Sequence, residues 1–262
     1  MTATVAQDEY VDFCEGVRAL CQVDLLQYKR PQMERRLRTF AQRRGWSSLR
    51  EYLLELGRTP EELAALLDRA TINVSQLWRN PEQWTALARG VVPELAQTGS
   101  IRVWSAGCSY GAEAFTIAAV CVDAAPGARI GVHGTDIDGR MVERACPGWF
   151  SDADARSAPA DALARHFVRD GAGWRANDAL RSLTSFETGD LLRMRPQAGR
   201  YDLVLCRNTV IYFNEPVRDA LHERLAHALR PGGYLVVGST ERISDPAACG
   251  VQAVAPFTYR RA

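Results

Sequence analysis

The chain has 262 residues, enough for one large domain or two modest ones. Its hydrophobic fraction of 47% and charged fraction of 24% are those of an ordinary globular protein. A net charge of +1 gives no overall field that would attract nucleic acid or a membrane surface. No apolar run approaches the roughly 20 residues of a membrane span, and the start MTATVAQDEY does not have the pattern of a signal peptide. The seven scattered cysteines form no zinc-binding pairs, so we expect free thiols and a cytoplasmic protein.

Residues from about 8 to 90 have helical patterns throughout. Thr59-Pro60-Glu61-Glu62 is typical of a helix start, with a capping threonine, proline in the first turn and early acids. The segment from Lys29 to Arg50 has an apolar helix face at Met33, Leu37 and Phe40, while its other faces are strongly basic. This basic surface is either a solvated face or a docking face for an acidic partner.

From residue 100 onward, strands alternate with helices. Strands are predicted at Ile101–Trp104, Ile130–Gly134, Tyr201–Cys206 and Tyr234–Gly238, with a last one near Phe257–Arg260. Helices are predicted at Ala112–Ala124, Gly139–Ala145 and Asn214–Leu229. This alternation predicts an α/β fold with a doubly wound, mostly parallel sheet.

The piece between Pro147 and Thr188 does not follow the alternation. His166–Arg169 and Trp174–Arg175 flank a glycine-containing turn, which predicts a hairpin, and Ser182–Glu187 could pair with it. We therefore predict a helical N-terminal domain at residues 1–92 and a sheet domain at residues 93–262. A small antiparallel β insertion is expected at about residues 160–188.

The stretch from Trp104 to Glu113 joins a strand to a helix through a glycine turn, which lets the backbone approach a ligand closely. It lacks the G-x-G-x-x-G of dinucleotide sites and the G-K-[ST] of phosphate loops. It carries an acid, Glu113, and the next strand ends in Asp136, which can accept both hydroxyls of a ribose. An adenosine without phosphates and with a positive sulfonium suits this loop, which indicates S-adenosylmethionine.

Other interpretations of these residues stay open at this stage. The glycine turn could hold no ligand, and one of Asp136 and Asp138 is expected to cap the following helix. Asp190, in Gly189-Asp190-Leu191-Leu192, could accept from an adenine amino group, although such a loop is common. Cys206-Arg207-Asn208 follows a strand at the edge of the sheet where ligands of open parallel sheets bind.

Several segments together resemble the CheR-type chemotaxis receptor glutamate methyltransferases over nearly the whole length. They are YKRPQMERRL at Tyr28, INVSQLWR at Ile72, the Val103–Phe115 loop, TDID around Asp136, GDLL at Gly189, CRNTVIYF at Cys206 and LRPGGYLVVGSTE at Leu229. The resemblance implies a class I S-adenosylmethionine-dependent methyltransferase sheet, an all-helical N-terminal domain and a small antiparallel subdomain. It also implies that the enzyme forms methyl esters on glutamate side chains in the cytoplasmic helical bundle of chemotaxis receptors.

The resemblance places site residues on this sequence. Arg79 and Tyr212 are implied as catalytic, with Arg79 near the substrate glutamate and Tyr212 beside the transferred methyl group. The implied cofactor contacts are Asn73, Ser75, Arg79, Glu113, Asp136, Asp190, Leu191, Arg207 and Asn208. No metal is implied, and we expect a monomer that binds no nucleic acid and does not insert into the membrane.

Some positions depart from the family's usual pattern. Tyr110 replaces a small hydroxyl residue, Ala112 replaces an acid, and Ser239-Thr240-Glu241 replaces a histidine-containing turn. Leu77-Trp78 stands where two aromatics are usual. Two rival functions remain: a methyltransferase acting on RNA or a small molecule, and a non-catalytic module that senses the cofactor.

Overall fold

The computed structural model describes residues 8–71 and 74–262. Packing divides these residues into two compact units. The first contains residues 8–71 together with Tyr212–Val217, and the second contains residues 74–211 and Arg218–Ala262. Among the described residues, no helix is long and apolar enough to cross a membrane.

The first unit is helical. Its helices are α1 (Glu9–Cys21), α2 (Arg30–Arg43), α3 (Leu49–Leu56) and α4 (Pro60–Ala70). Asp8 caps α1 by accepting from the amide of Tyr10, and Ser48 caps α3 by accepting from the amide of Glu51. Thr59 precedes Pro60 as predicted, but its hydroxyl donates to Glu55 and makes no cap hydrogen bond.

Residues Tyr212–Val217, far away in sequence, complete this helical unit. The amide of Lys29 donates to the carbonyl of Tyr212 at 2.9 Å, and the rings of Tyr28 and Phe213 lie 4.9 Å apart. The guanidinium of Arg36 lies over the Tyr212 ring, 5.8 Å from its centroid. The Tyr212 ring is therefore contacted from α2, and the Tyr212–Phe213 backbone and the Phe213 ring are contacted by Lys29 and Tyr28.

The second unit is built on a seven-stranded sheet in the order β6-β2-β1-β7-β8-β10-β9. Its strands are β1 (Ser100–Ala106), β2 (Arg129–Asp136), β6 (Thr184–Thr188), β7 (Tyr201–Cys206), β8 (Leu229–Val237), β9 (Val251–Ala255) and β10 (Thr258–Arg261). The first five strands in this order pair in parallel, and β10 and β9 are added antiparallel. The predicted doubly wound, mostly parallel sheet is confirmed.

The connections create a switch point between β1 and β7. From β1 the chain moves to β2 and β6 on one side, and it then returns to β7 on the other side of β1. In open α/β sheets, ligands bind outside the carboxyl ends of the strands at such a point. The carboxyl ends of β1 and β7 therefore mark where a site is expected.

The second unit also contains helices, of which α12 begins in the Tyr212–Val217 segment of the first unit. They are α5 (Pro81–Ala86), α6 (Val92–Ala96), α7 (Ala112–Ala124), α8 (Gly139–Ala145), α9 (Asp152–Ala155), α10 (Ala160–His166), α11 (Asp178–Arg181) and α12 (Glu215–Ala228). A π-helical turn, Leu87–Val91, joins α5 to α6. Leu77, Trp84 and Leu87 share one hydrophobic core with Val103 and Phe115, so residues 74–92 pack with the sheet. The domain boundary after residue 92 stays a prediction.

The small antiparallel sheet has the order β3-β5-β4, with β3 (Trp149–Ser151), β4 (Phe167–Asp170) and β5 (Gly173–Ala176). The predicted hairpin is present as β4 and β5. The expected pairing of Ser182–Glu187 with this hairpin is wrong, because Thr184–Thr188 pairs in parallel with β2 in the large sheet. This polar strand pairs with β2 through backbone hydrogen bonds. The third strand of the small sheet is β3, which pairs with β5.

Candidate active site

The loop after β1 has no room for side chains at its first glycine. Gly107 has φ +81°, and a Cβ there would lie 2.6 Å from Oγ1 of Thr209. The amides of Gly107 and Cys108 both donate to the carbonyl of Thr135, at 2.8 and 3.0 Å. The loop is thereby fixed to the end of β2, and Gly111, with φ +85°, starts α7.

Asp136, the last residue of β2, is joined to this loop by its carboxylate. Its Oδ2 accepts from the amide of Ser109 at 2.7 Å, and its Oδ1 accepts from the amide of Asp138 at 3.0 Å. Burial raises the pKa of Asp136, and these backbone hydrogen bonds oppose the rise. Asp138 is the residue that caps α8, by accepting from the amide of Arg140. Asp136 therefore does not cap α8, and its carboxylate instead holds the loop after β1 in place.

Ser109 has two unusual properties. Its φ is +49°, a left-handed conformation that is uncommon outside glycine. Its hydroxyl is buried and has no hydrogen-bond partner within the described chain. An orphaned hydroxyl costs free energy unless a ligand or a bound water completes it. A polar ligand at the ends of β1 and β2, where the acids favour positive charge, therefore fits the residues present.

Glu113 and Arg207 form a buried ion pair that bridges the ends of β1 and β7. Oε2 of Glu113 accepts from Nη1 of Arg207 at 3.3 Å, and Oε1 accepts from the Ser105 hydroxyl at 2.8 Å. The two residues are 8% and 7% exposed. Burial raises the pKa of Glu113, and the charge of Arg207 opposes the rise.

The rest of the Arg207 guanidinium also contacts protein groups. Nε and Nη2 donate to Oε1 of Gln83 at 3.0 and 2.7 Å, and Nη2 donates to the carbonyl of Arg79 at 2.7 Å. The ring of Trp84 lies 4.5 Å from the guanidinium carbon. Arg207 thus joins α5 to the strand ends, a role that its position after a strand did not reveal.

Glu241 is a site residue that the sequence did not indicate. Its carboxylate accepts from the amides of Gly238, Asn208, Val210 and Ile211, at 2.6, 2.7, 3.0 and 3.3 Å. Burial raises the pKa of Glu241. Asn208 has φ +60°, so the carboxylate holds a strained loop at the end of β7. The signals available were its position in a turn after another strand and its place at the end of the LRPGGYLVVGSTE segment.

The segment before α5 carries two predicted site residues. Ser75 is half-buried, and its carbonyl accepts a hydrogen bond from the hydroxyl of Tyr110. Arg79 is half-buried, and its Nη1 donates to the carbonyl of Val74 at 3.0 Å. Asn73, the third residue predicted here, lies outside the described residues.

The Asp190–Leu191 loop lies beside the end of β2. The amide of Gly189 donates to the carbonyl of Asp136 at 2.8 Å. Oδ1 of Asp190 accepts from the amide of Leu192 at 2.8 Å, and Leu191 is 7% exposed. The structure therefore brings Glu113, Asp136, Asp190, Leu191, Arg207, Asn208, Ser75 and Arg79 together in one unit. Tyr212 belongs to the helical unit.

The fold and the site define a class of protein. The site combines a parallel sheet with a switch point, a glycine turn without a phosphate-binding lysine, and buried acids at adjacent strand ends. These features together are typical of an S-adenosylmethionine-dependent methyltransferase. The chain belongs to the CheR methyltransferase family. Residues 73–253 match the family model described as "CheR methyltransferase, SAM binding domain", and residues 8–71 match "CheR methyltransferase, all-alpha domain". The predicted family, enzyme class and cofactor are confirmed.

Relatives with curated names match over most of their length. A "Chemotaxis protein methyltransferase" of Listeria monocytogenes is 29% identical over 255 residues, covering 97% of each chain. A "Probable chemotaxis protein methyltransferase" of Rhizobium etli is 30% identical over 231 residues, covering 82% of this chain and 85% of the relative. A "Chemotaxis protein methyltransferase 1" of Vibrio cholerae is 28% identical over 255 residues, covering 93% of each.

Proposed function

We propose that this protein transfers a methyl group from S-adenosylmethionine to glutamate side chains of chemotaxis receptors, forming methyl esters for sensory adaptation. The observation that carries the cofactor part is the Asp136 carboxylate, which is bonded to the amide of Ser109, a residue whose buried hydroxyl has no partner among the described residues. The names of the relatives support chemotaxis receptors as the substrates. We further propose that it works as a monomer in the cytoplasm.

The proposed cofactor contacts follow from the chemistry of each group. Asp136 accepts from the ribose hydroxyls, and Asp190 with Leu191 contacts the adenine. Ser75 and Arg79 contact the methionine part, where the guanidinium pairs with its carboxylate. Asn73 is included on the resemblance alone. Because Arg207 already donates to Glu113 and Gln83, we propose that it acts mainly by holding Glu113, while Asn208 lines the site.

The proposed reaction needs no general base. A glutamate has an ordinary pKa of about 4.3, so its carboxylate is already a nucleophile at neutral pH. The cofactor, when bound, supplies an electrophilic methyl group on a sulfonium. The protein then contributes positioning, with Arg79 proposed to orient the substrate carboxylate; a role for Tyr212 beside the methyl group is proposed on the resemblance alone.

The receptor surface that we propose is α2. Arg30 and Arg38 on this helix pair with acids of the same unit, at 2.6 Å to Asp8 and 2.7 Å to Glu9. Arg35 and Arg43 on this helix are exposed, and so is Arg50 at the start of α3. These three arginines are the groups that we expect to contact an acidic receptor helix bundle.

Incubation with methyl-labelled cofactor and receptor cytoplasmic fragments tests the proposal. We expect label in the receptor that mild base releases, because carboxyl esters are base-labile, and mass spectrometry should place it on glutamates. Label in RNA or in a small molecule would favour a different substrate class. Calorimetric binding of the cofactor without any turnover would favour a non-catalytic module.

Arg79→Ala tests the proposed catalytic residue. We expect kcat/KM for the receptor fragment to fall about 10- to 100-fold, because a charged hydrogen bond contributes about 1.5–3 kcal/mol. The matched control is Arg89→Ala, which removes an exposed arginine from the nearby π-helical turn. Methylation at the wild-type rate in Arg79→Ala would reject the assignment.

A further inference from the structure

The hydroxyl of Tyr110 lies between two acceptors from separate parts of the second unit. It is hydrogen-bonded to the carbonyl of Ser75, and it lies 2.9 Å from Oδ1 of Asp154. Its single hydrogen is shared between the carbonyl and the carboxylate. The cofactor loop, which contains Tyr110, is thereby tied to the 74–79 segment and to α9.

The ring of Tyr110 is fixed as firmly as its hydroxyl. The side chain is buried, with 3% exposure. The guanidinium carbon of Arg144 lies 3.9 Å from the ring centroid, and the ring of Phe150 lies 6.3 Å away in β3. Burial and the Asp154 hydrogen bond raise the pKa of Tyr110, so the hydroxyl stays protonated at neutral pH. The position of the hydroxyl is therefore determined by its surroundings.

Asp154 holds the same segment at a second point. Its carbonyl accepts from the amide of Leu77 at 3.0 Å, two residues after the Ser75 contact. Its Oδ2 accepts from the amide and hydroxyl of Ser151 at 3.0 and 2.8 Å, which closes the capping box of α9. Nearby, Nε2 of Gln76 donates to the hydroxyl of Ser157 at 3.0 Å. Gln76 and Leu77 are thus held by the chain that follows β3, while the preceding residue, Ser75, is held by Tyr110.

We propose that Tyr110 and Asp154 are positioning residues that hold the 74–79 segment in its cofactor-binding conformation before the cofactor arrives. This inference rests on the proposed assignment of Ser75 and Arg79 to the cofactor site. A segment that is already ordered loses less conformational entropy on binding, so affinity rises without any new contact to the ligand. A small hydroxyl residue, the family's usual residue here, is too short to fill the space of the Tyr110 ring.

Tyr110→Phe removes the hydroxyl and leaves the ring under Arg144. We expect the Kd for S-adenosylhomocysteine and the KM for S-adenosylmethionine to rise about tenfold, with kcat at saturating cofactor within about twofold of wild type. The matched control is Tyr234→Phe, which removes another buried hydroxyl that donates to a carboxylate, Glu94, at 2.6 Å. The control should leave Kd, KM and kcat unchanged.

Hydrogen exchange in the ligand-free protein tests the same inference without any cofactor. We expect the amide of Leu77 to exchange faster in Tyr110→Phe than in Tyr234→Phe. Unchanged Kd and unchanged exchange would overturn the inference, and so would a fall in kcat at unchanged Kd, since that places Tyr110 in the chemical step. Failure of the wild-type protein to bind S-adenosylhomocysteine would instead reject the proposed cofactor site, and the exchange result would still decide whether Tyr110 orders the segment.

Discussion

The carboxyl edge of the sheet and the surface of α2 both rely on arginine–carboxylate pairs, but in opposite environments. At the sheet edge, the Arg207 and Glu113 side chains are 3% and 9% exposed. On α2, the Arg38 side chain and its partner Glu9 are 39% and 34% exposed, and Arg30 and Asp8 are 50% and 41% exposed. The same chemical pair is therefore enclosed in one region and solvated in the other.

This difference teaches which region tolerates change. A buried charge needs its partner, because water cannot replace the lost interaction. An exposed pair loses little when it is broken, since water and salt screen it. We therefore expect the sheet edge to depend on individual residues and the α2 surface to depend only on its total charge.

Arg207→Met should lower the free energy of unfolding more than any other variant proposed here. A small effect would contradict the contrast between the buried and the exposed ion pairs. The variant leaves the Glu113 carboxylate buried without its ion-pair partner, so we expect the free energy of unfolding to fall by about 3–5 kcal/mol. Arg38→Met, the same substitution in the exposed α2 pair, should cost under about 1 kcal/mol. Urea unfolding of both variants measures the contrast, and equal costs would contradict it.

His222 extends the comparison to a buried polar group that has no partner. It belongs to the second unit, and neither ring nitrogen has a hydrogen-bond partner among the described residues. Burial lowers the pKa of His222 from 6.5 to about 4. The unfolded chain takes up a proton below pH 6.5 while the folded chain stays neutral. Stability is therefore complete above pH 6.5 and is lost as the pH falls towards 4.

The expected loss for His222 is about 2 kcal/mol between neutral pH and about pH 5. His222→Leu should remove that part of the pH dependence, since leucine does not titrate. His227→Leu, at an exposed position on the same helix, should keep it. Unfolding free energies at the two pH values decide this, and the same acid sensitivity in His222→Leu as in wild type would refute the prediction.

The smallest effect is expected on α2. Arg35→Gln combined with Arg43→Gln should weaken binding of a receptor fragment only about two- to fivefold at low salt, because exposed charge pairs contribute about 0.2–1 kcal/mol each. Binding of the double variant should also depend less on salt. Arg58→Gln, outside α2 in the same unit, serves as the control, and titrations at two salt concentrations provide the measurement. An equal loss of binding in Arg58→Gln would show that the total positive charge of the unit, and not the α2 surface, determines receptor binding.

The elements that could be predicted from the sequence are those whose own residues show how they are packed. β7 is a continuous apolar run because both faces of the strand are covered, and its predicted bounds match those observed. The helix over Ala112–Ala124 follows directly from the glycine turn before it. The acids after β1 and β2 could be located for the same reason, since a parallel sheet brings strand ends to one edge.

Contacts between distant segments could not be predicted in this way. Thr184–Thr188 has too few apolar residues to indicate which sheet takes it. The pairing of Glu113 with Arg207 joins residues 94 positions apart, and Glu241 acts through backbone amides that leave no pattern in the sequence. Tyr110 looked like a simple departure from the family, since its acceptors Ser75 and Asp154 lie far from it in the chain.

The left-handed residues around the site have a consequence for engineering. Trp78, Asn80, Ser109 and Asn208 all have positive φ, between +49° and +60°. Such conformations cost about 1–3 kcal/mol each for residues with side chains. Glycine at Ser109 or Asn80 would relieve this cost, so a thermostabilised variant could be sought at these positions. Any gain in heat tolerance would come at the residues that shape the site, which makes turnover the property to monitor in such a search.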